Sequence, residues 1–219
     1  MRSVQIILRC GMIKAILYDL DGVLVDATEW HYESLNEALR EISGFELSRL
    51  EHISTFNGLP TNKKLEMLYE QNKVKKEDFE AIWKLKQKKT NEIIEKTASV
   101  DETKKRLHEG TKEFKKICVT NSIRQTALLM LEKTCQLSFM DHVISNEDVN
   151  NPKPDPEGYL KAIQYLQLQP NECMIVEDAP KGIEAAKKSN AHVYEVRGYY
   201  DVTLENVLNT INHFNIDSK

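Results

Sequence analysis

Residues 13–24 read Ile-Lys-Ala-Ile-Leu-Tyr-Asp-Leu-Asp-Gly-Val-Leu, an apolar run that ends in two aspartates and a glycine. A nearly continuous apolar run of this length is typical of a β-strand that is covered on both faces. Asp19 and Asp21 lie two positions apart, so on an extended chain both carboxylates point to the same side. The stretch predicts a buried strand with a pair of acids at its carboxyl end.

Four more short apolar runs follow along the chain, with helical patterns between several of them. The runs cover residues 116–119, 142–145, 173–176 and 191–196. The helical patterns cover residues 125–134, 156–166 and 180–189. Strands that alternate with helices of this length form βαβ units. We therefore predict an α/β fold in which helices cover both faces of a parallel sheet.

The segment 28–97 breaks this alternation. It contains no convincing strand, and amphipathic patterns over 29–42, 62–71 and 77–96 predict helices. We predict that residues 28–97 form an inserted all-helical domain, and that residues 12–27 together with 98–219 form the α/β core. Residues 1–11 are interpreted as an N-terminal extension, because Met12 is a plausible start of the protein.

The composition limits the classes of function. Of the 219 residues 41% are hydrophobic and 29% are charged, which is ordinary for a soluble globular protein. A net charge of −4 argues against a nucleic-acid-binding surface. No apolar stretch reaches the roughly 18 residues that a transmembrane helix needs. Lysine clusters at 84–89 and 104–105 have acidic neighbours, so we interpret them as solvated helix faces.

The four cysteines lie far apart and form no CxxC or histidine-bearing cluster. This spacing argues against a zinc site and favours a reducing compartment. Cys118 and Cys173 each lie inside an apolar run and are predicted to be buried. We expect a cytoplasmic protein that is a monomer or a weak oligomer, with no nucleic-acid or membrane partner.

Polar residues at the ends of the predicted strands carry the candidate chemistry, because ligands of parallel sheets bind at the carboxyl ends of the strands. Asp19 and Asp21 would repel each other without a cation between them, and Mg²⁺ prefers such oxygen ligands. One acid could attack phosphorus while the other transfers protons. Taken alone, the pair is equally compatible with an ordinary turn.

Two further strand ends have matching polar residues. Thr120, Asn121 and Ser122 could hold phosphoryl oxygens, or one of them could cap the helix that follows. Glu177 and Asp178 could complete a magnesium shell, or Asp178 could cap the helix that begins at Pro180.

Lys153 lies between Pro152 and Pro154. Two proline neighbours restrict the main chain, which suits a lysine that must bind an anion at a fixed position. The alternative is an exposed loop lysine. The order of these pieces along the chain, each in or near a strand end, favours a phosphoryl-transfer site.

The same pieces resemble the four signature motifs of the haloacid dehalogenase (HAD) superfamily. The motifs lie at residues 19–24, 119–122, 153–156 and 176–183, and the resemblance extends from residue 12 to about residue 200. The resemblance implies Mg²⁺ as cofactor. It implies that Asp19 is the nucleophile and a metal ligand, and that Asp21 is the acid/base with its main-chain carbonyl on the metal. It further implies that Thr120 and Asn121 bind the phosphate, that Lys153 lies beside the nucleophile, and that Asp178 binds the metal with Glu177 close by. Dehalogenases of the superfamily lack the second acid, so Asp21 implies a phosphotransferase.

The insert resembles the helical C1 cap of the phosphoglycolate phosphatase and β-phosphoglucomutase branch. By this resemblance His31 assists Asp21, Gly58 lies in the substrate-specificity loop, and Lys86 matches a cap lysine that reaches the mutase site. The alternatives are an exposed or interface His31 and an ordinary helix connection at Gly58. The lysine-rich helix favours a solvent-facing Lys86. Trp30 is interpreted as packing between cap helices.

We therefore expect a phosphatase that acts on a small phosphorylated metabolite, for example a sugar phosphate. A phosphohexomutase of the β-phosphoglucomutase type is the alternative. The mutases have an arginine just beyond the glycine of the specificity loop, whereas the matching position here is Asn62, followed by Lys63 and Lys64. A non-catalytic magnesium-binding regulatory protein is the third possibility, but it would not require all of the core motifs.

Overall fold

The computed structural model describes residues 12–217, so the predicted extension 1–11 lies outside the described residues. The strands are β1 (Ala15–Tyr18), β2 (Lys115–Val119), β3 (His142–Ile144), β4 (Cys173–Glu177) and β5 (His192–Glu195). The α-helices are α1 (Thr28–Ser43), α2 (Arg49–Glu51), α3 (Thr61–Glu70), α4 (Phe79–Thr97), α5 (Glu102–Gly110), α6 (Arg124–Lys133), α7 (Glu157–Tyr165), α8 (Pro180–Lys188) and α9 (Leu204–Asp217). None of the helices between residues 12 and 217 combines the length and the apolar character that a transmembrane span requires.

The five strands form one sheet in the order β3-β2-β1-β4-β5, and every neighbouring pair is parallel. The predicted α/β fold is thus confirmed. The register places Tyr18, the last residue of β1, beside Cys118 on β2 and Val176 on β4. Asp19 follows Tyr18 directly, so the ends of the three central strands lie level with one another.

The two faces of the sheet contribute to separate hydrophobic clusters. Ile16 and Tyr18 of β1 belong to one cluster, with side chains of α5, α6 and α9. Ala15 and Leu17 belong to the other, with side chains of α7 and α8. Because neighbouring strand residues point to opposite faces, a strand that is covered on both sides favours apolar residues at every position. This explains the unbroken apolar run before Asp19.

The helices of the insert form a third hydrophobic cluster. It joins Leu35 and Leu39 of α1, Leu65 of α3 and Ile82 of α4. These residues recur at helical spacing, so each helix presents one apolar face to the others. The cluster supports an independently packed insert, while the boundaries at 28 and 97 stay a prediction. Trp30 differs from expectation, because it packs against the cluster under the sheet and not against the cluster of the insert.

Helices α5 and α9 had no counterpart among the predicted elements. In α5 the expectation of a solvated lysine face is wrong for Lys104, which is 1% exposed. Its ammonium donates hydrogen bonds to the carbonyls of Tyr199 (2.7 Å) and Val202 (3.0 Å). Paired main-chain carbonyls thus make burial of this charge tolerable. Cys118 and Cys173 are buried free thiols, as predicted.

Candidate active site

The core residues predicted from the motifs meet at one edge of the sheet. Asp19 follows β1, Thr120 follows β2, and Glu177 ends β4. Lys153 reaches the same edge from the segment before α7. The level strand ends cause this meeting, since residues one step beyond paired strand positions are neighbours in space.

The Lys153 ammonium lies at the centre of this edge and is 7% exposed. It donates to Asp19 Oδ1 (2.5 Å), Glu177 Oε1 (2.6 Å) and the Val119 carbonyl (2.8 Å). These three bonds use every hydrogen of the ammonium. Although burial lowers the pKa of Lys153, the carboxylates of Asp19 and Glu177 hold it above its ordinary value. The group is therefore a permanent positive charge against Asp19.

Glu177 holds this lysine in place. Its Oε1 also accepts the Tyr159 hydroxyl hydrogen (2.8 Å), and its Oε2 accepts the N–H groups of Asp178 (3.0 Å) and Ala179 (3.2 Å). A Cβ at Gly182 would lie 1.8 Å from Glu177 Oε1, so only glycine leaves room for this carboxylate. Tyr159 lies within the helix predicted over residues 156–166, but its bond to Glu177 was not predicted.

A metal centre is indicated beside this lysine. Asp19, Glu177 and Asp178 offer carboxylate oxygens that lie within 4.8 Å of one another. Asp178 Oδ1 is buried and has no hydrogen-bond partner among residues 12–217. Three carboxylates share one ammonium, which leaves negative charge uncompensated. A hard divalent cation fits both the orphaned oxygen and the excess charge.

The crowding of carboxylates changes the pKa values of Asp178 and Asp19. Burial, followed by the nearby Glu177, raises the pKa of Asp178 to about 7. Burial also raises the pKa of Asp19, the nearby carboxylates add to the rise, and Lys153 opposes it. In the metal-free protein both acids therefore favour protonation more than an exposed aspartate does.

Asp21 has a different environment. Its Oδ1 lies 2.8 Å from His31 Nε2, and its Oδ2 accepts the hydroxyl hydrogens of Ser122 (2.9 Å) and Thr120 (3.3 Å). Burial alone would raise the pKa of Asp21, but His31 and Ser122, with Lys86 behind them, lower it to about 2. The contact with His31 agrees with the predicted pairing. The structure therefore holds Asp21 as an ionised carboxylate with fixed donors.

The capping alternatives drawn from the sequence do not hold for two of these residues. Helix α6 begins at Arg124, and the residue before it, Ile123, makes no side-chain cap. Ser122 instead donates to Asp21. Helix α8 follows Ala179, again without a side-chain cap, so Asp178 does not cap it. Both polar side chains are available to the site.

The expectation that Lys86 faces solvent is wrong, since it is 5% exposed and its Nζ lies 3.2 Å from His31 Nδ1. An ammonium can only donate, so it leaves Nδ1 as acceptor and the hydrogen on Nε2, facing Asp21. Burial, and then the nearby Lys64, lower the pKa of Lys86 to about 7. The overall excess of lysine in α4 hid which position of the helix points inward.

A cavity opens from Asp21 into the insert. Its lining includes the predicted Gly58 and also Lys64, which was not predicted as a site residue. Lys64 is 5% exposed, and burial lowers its pKa to about 8. Its position four residues before the buried Leu68 was the signal, since residues at this spacing share a helix face.

The Asn121 side chain forms hydrogen bonds with main-chain groups and is not free to bind phosphate. Its Oδ1 accepts the Lys153 N–H (3.1 Å), and its Nδ2 donates to the carbonyls of Lys153 (3.3 Å) and Gly58 (3.1 Å). The Thr120 hydroxyl, in contrast, donates to Asp21. The predicted site residues are thus brought together, while their catalytic roles stay predictions.

Comparison with known proteins places these observations in a family. Residues 16–196 match the model of the haloacid dehalogenase-like hydrolases. A phosphoglycolate phosphatase of Nitrosospira multiformis is 29% identical over 194 residues, which are 83% of this chain and 82% of that protein. The pyrophosphatase PpaX of Anoxybacillus flavithermus is 32% identical over 175 residues, with 80% of this chain and 79% of that protein covered.

The fold has close structural counterparts. The β-phosphoglucomutase of Clostridium difficile superposes with a TM-score of 0.78 at 20% identity, covering 94% of this chain and 100% of that chain. At this identity the likeness concerns the fold, while the family match covers most of the chain. The protein belongs to the haloacid dehalogenase-like hydrolases.

Proposed function

We propose that the protein is a Mg²⁺-dependent phosphatase of a small phosphorylated metabolite, which acts through an aspartyl-phosphate on Asp19. The observation that carries this proposal is the contrast between two acids that lie two positions apart. The Asp19 carboxylate contacts the Lys153 ammonium and lies at the candidate metal centre, whereas Asp21 contacts His31 and two hydroxyl groups. A carboxylate beside a fixed positive charge suits nucleophilic attack, and a carboxylate paired with a histidine suits proton transfer.

The first half-reaction forms the covalent intermediate. A carboxylate oxygen of Asp19 attacks phosphorus, and the bond from phosphorus to the leaving oxygen breaks. Asp21 passes a proton to that oxygen. Because Asp21 is ionised at rest, we assign the source of the proton to His31 Nε2, 2.8 Å away, while the Lys86 ammonium, 3.2 Å away, passes a proton to His31 Nδ1 so that the imidazole stays neutral. Asp19 and Asp178 would hold Mg²⁺, which would supply charge neutralisation at the phosphoryl group.

The second half-reaction releases phosphate. Water attacks phosphorus, Asp21 accepts its proton, and the bond between phosphorus and Asp19 breaks. Lys153 stays charged throughout, so it compensates Asp19 both as a free carboxylate and as a leaving group. The insert covers the cavity, which keeps the leaving group and the water in defined positions.

The proposal is tested with a panel of phosphate esters, with Mg²⁺ or with a chelator. We expect phosphate release from at least one small ester with Mg²⁺ and none with the chelator. Mg²⁺ binding without release from any ester would contradict the phosphatase and favour the regulatory alternative.

Mg²⁺ binding is expected to weaken below pH 7. Mg²⁺ needs ionised ligands, and the pKa of Asp178 in the metal-free protein is about 7. Affinity should therefore fall by up to about tenfold per pH unit below 7 and level off above it. Titration calorimetry across this range measures the effect, and a constant affinity down to about pH 5.5 would contradict it.

The same raised pKa predicts the sign of a stability change. An acid whose pKa is higher in the folded than in the unfolded protein favours the folded state while it is protonated. That contribution is complete below the unfolded value and is lost as the pH rises through about 7. Metal-free protein should therefore lose stability between about pH 4 and 7 from this group, and added Mg²⁺ should restore it.

The two buried lysines of the insert indicate the substrate class. The Lys64 ammonium makes no hydrogen bond or ion pair within residues 12–217, and the Lys86 ammonium bonds only to a histidine nitrogen. Asp21 is the one carboxylate in the described lining, and it already has three donors. Buried charges normally have partners, so we propose that the leaving group itself carries a negative charge.

Lys64→Met should reduce kcat/KM about 10- to 100-fold for esters whose leaving group is anionic, because a hydrogen bond to a charged group is lost. Esters with a neutral leaving group of the same size should change little. Lys63→Met is the matched control, since Lys63 is exposed and pairs with Glu66. Equal losses on both ester types would contradict an anionic leaving group.

A phosphohexomutase is the second candidate, favoured by one observation. His31 and Lys86 both reach the site, as the resemblance to the mutases implied. Isomerisation of a hexose 1-phosphate without net phosphate release would replace the phosphatase by this candidate.

A further inference from the structure

The Asn121 side chain connects the core to the insert. Gly58 belongs to the segment between Phe56 and α3 in the insert, whereas Lys153 belongs to the core. The amide pairs with both main-chain groups of Lys153 and also donates to the Gly58 carbonyl. One side chain thus links two loops that belong to different parts of the fold.

The donor capacity of the amide is used by these contacts. An asparagine side chain has two N–H donors and one carbonyl acceptor. The two donors serve the carbonyls of Gly58 and Lys153, and the acceptor serves the Lys153 N–H. A phosphoryl oxygen could gain a donor from this side chain only if one of these bonds broke. The geometry therefore argues against the phosphate-binding role predicted for the Asn121 side chain.

We propose that Asn121 is a latch that positions the main chain of Lys153 and ties the insert to it in the closed state. If the insert moves away, the bond to Gly58 breaks while the pair with Lys153 can persist. The bond to Gly58 then stabilises closure, and the pair with Lys153 aligns the lysine that compensates Asp19. This inference rests on the proposed function only in assigning Lys153 a part in turnover.

Two variants separate the two functions. Asn121→Ala removes every bond of the latch. Gly58→Ala disturbs only the insert side, because Gly58 has a φ of +72°, which alanine disfavours, while the added Cβ would make an ordinary 3.5 Å contact with Ala179. Gly44→Ala is the matched control. Gly44 has a φ of +66° and an open surrounding, and it lies at the end of α1.

Closure is read from tryptophan fluorescence without turnover. The chain has two tryptophans, and Trp83 lines the cavity under the insert. In a Trp30→Phe background, acrylamide quenching therefore reports the exposure of Trp83. Loss of one hydrogen bond shifts the balance of open and closed forms by about 2- to 10-fold. We expect greater quenching for Asn121→Ala and Gly58→Ala, and no change for Gly44→Ala.

Steady-state kinetics should also distinguish the two variants. Gly58→Ala should raise KM with little change in kcat, whereas Asn121→Ala should raise KM and also lower kcat, because Lys153 loses its alignment. In the double variant the KM should not exceed that of Asn121→Ala, since both changes break one shared bond.

Two results would overturn the latch. One is multiplication of the two KM effects in the double variant. The other is unchanged quenching in Asn121→Ala together with weaker binding of orthovanadate, which would return the side chain to the phosphate site. If Asn121→Ala fails to fold, Gly58→Ala against Gly44→Ala still decides closure. Failure of the phosphatase proposal would appear separately, as absence of turnover in the unmodified protein.

Discussion

Asp19→Asn should lower kcat by on the order of 10⁶-fold, as expected when a covalent nucleophile is removed. The amide oxygen cannot attack phosphorus at a useful rate, although its size and position match the carboxylate. Lys153 keeps its bonds to Glu177 and to the Val119 carbonyl, so the fold should persist. The measurement is steady-state turnover with Mg²⁺, together with thermal unfolding of the metal-free protein.

The matched control for this variant is Asp26→Asn. Asp26 is exposed and lies on the segment that follows the same strand. It should retain turnover close to that of the unmodified enzyme. Retained activity in Asp19→Asn would contradict the covalent mechanism. A strong loss in Asp26→Asn would show that any change of charge on this segment inactivates the enzyme.

Lys153→Met should cost about 3–5 kcal/mol of folding free energy, in addition to activity, when measured without metal. Asp19 and Glu177 would keep their buried carboxylates but lose the ammonium that lies 2.5 and 2.6 Å from them. An uncompensated buried charge is far more costly than a compensated pair. Urea unfolding at pH 8 measures the difference in the free energy of unfolding.

Two comparisons test whether this cost is electrostatic. The double variant Lys153→Met with Glu177→Gln should regain part of the stability but none of the activity, because one unpaired charge is removed. Lys115→Met, which breaks the exposed ion pair with Asp141, should cost no more than about 1 kcal/mol. Equal losses at the buried and exposed lysines would contradict a charge-based account.

The predictions from sequence agreed best with the structure where a run of residues is compatible with only one environment. The runs before Asp19 and Glu177 could be strands only if both faces were covered, and they lie in the middle of the sheet. The polar residues that end such strands had to meet at one edge. Helix α5 was missed because its inward face is itself polar, with Lys104 and His108 buried beside Leu107.

Lysine side chains show the limit of this reasoning. Lys63, Lys64, Lys86 and Lys88 look alike in sequence, but Lys64 and Lys86 are 5% exposed whereas Lys63 and Lys88 lie on the surface. Composition and spacing do not reveal which lysine faces a cavity, because the direction of each side chain depends on how α3 and α4 are rotated relative to the sheet. That rotation is set by packing of Leu65 and Ile82 in the insert.

The sequence by itself determined the parallel α/β core, the helical insert and the two acids at the end of β1. It did so because buried strands and amphipathic helices each have a period that local residues must obey. Only the tertiary structure decided the partners: Asp19 with Lys153, Asp21 with His31 and Ser122, and Asn121 with Lys153 and Gly58. Most of these contacts join residues far apart in the chain, so their distances, charges and pKa values depend on the register of the strands and the docking of the insert.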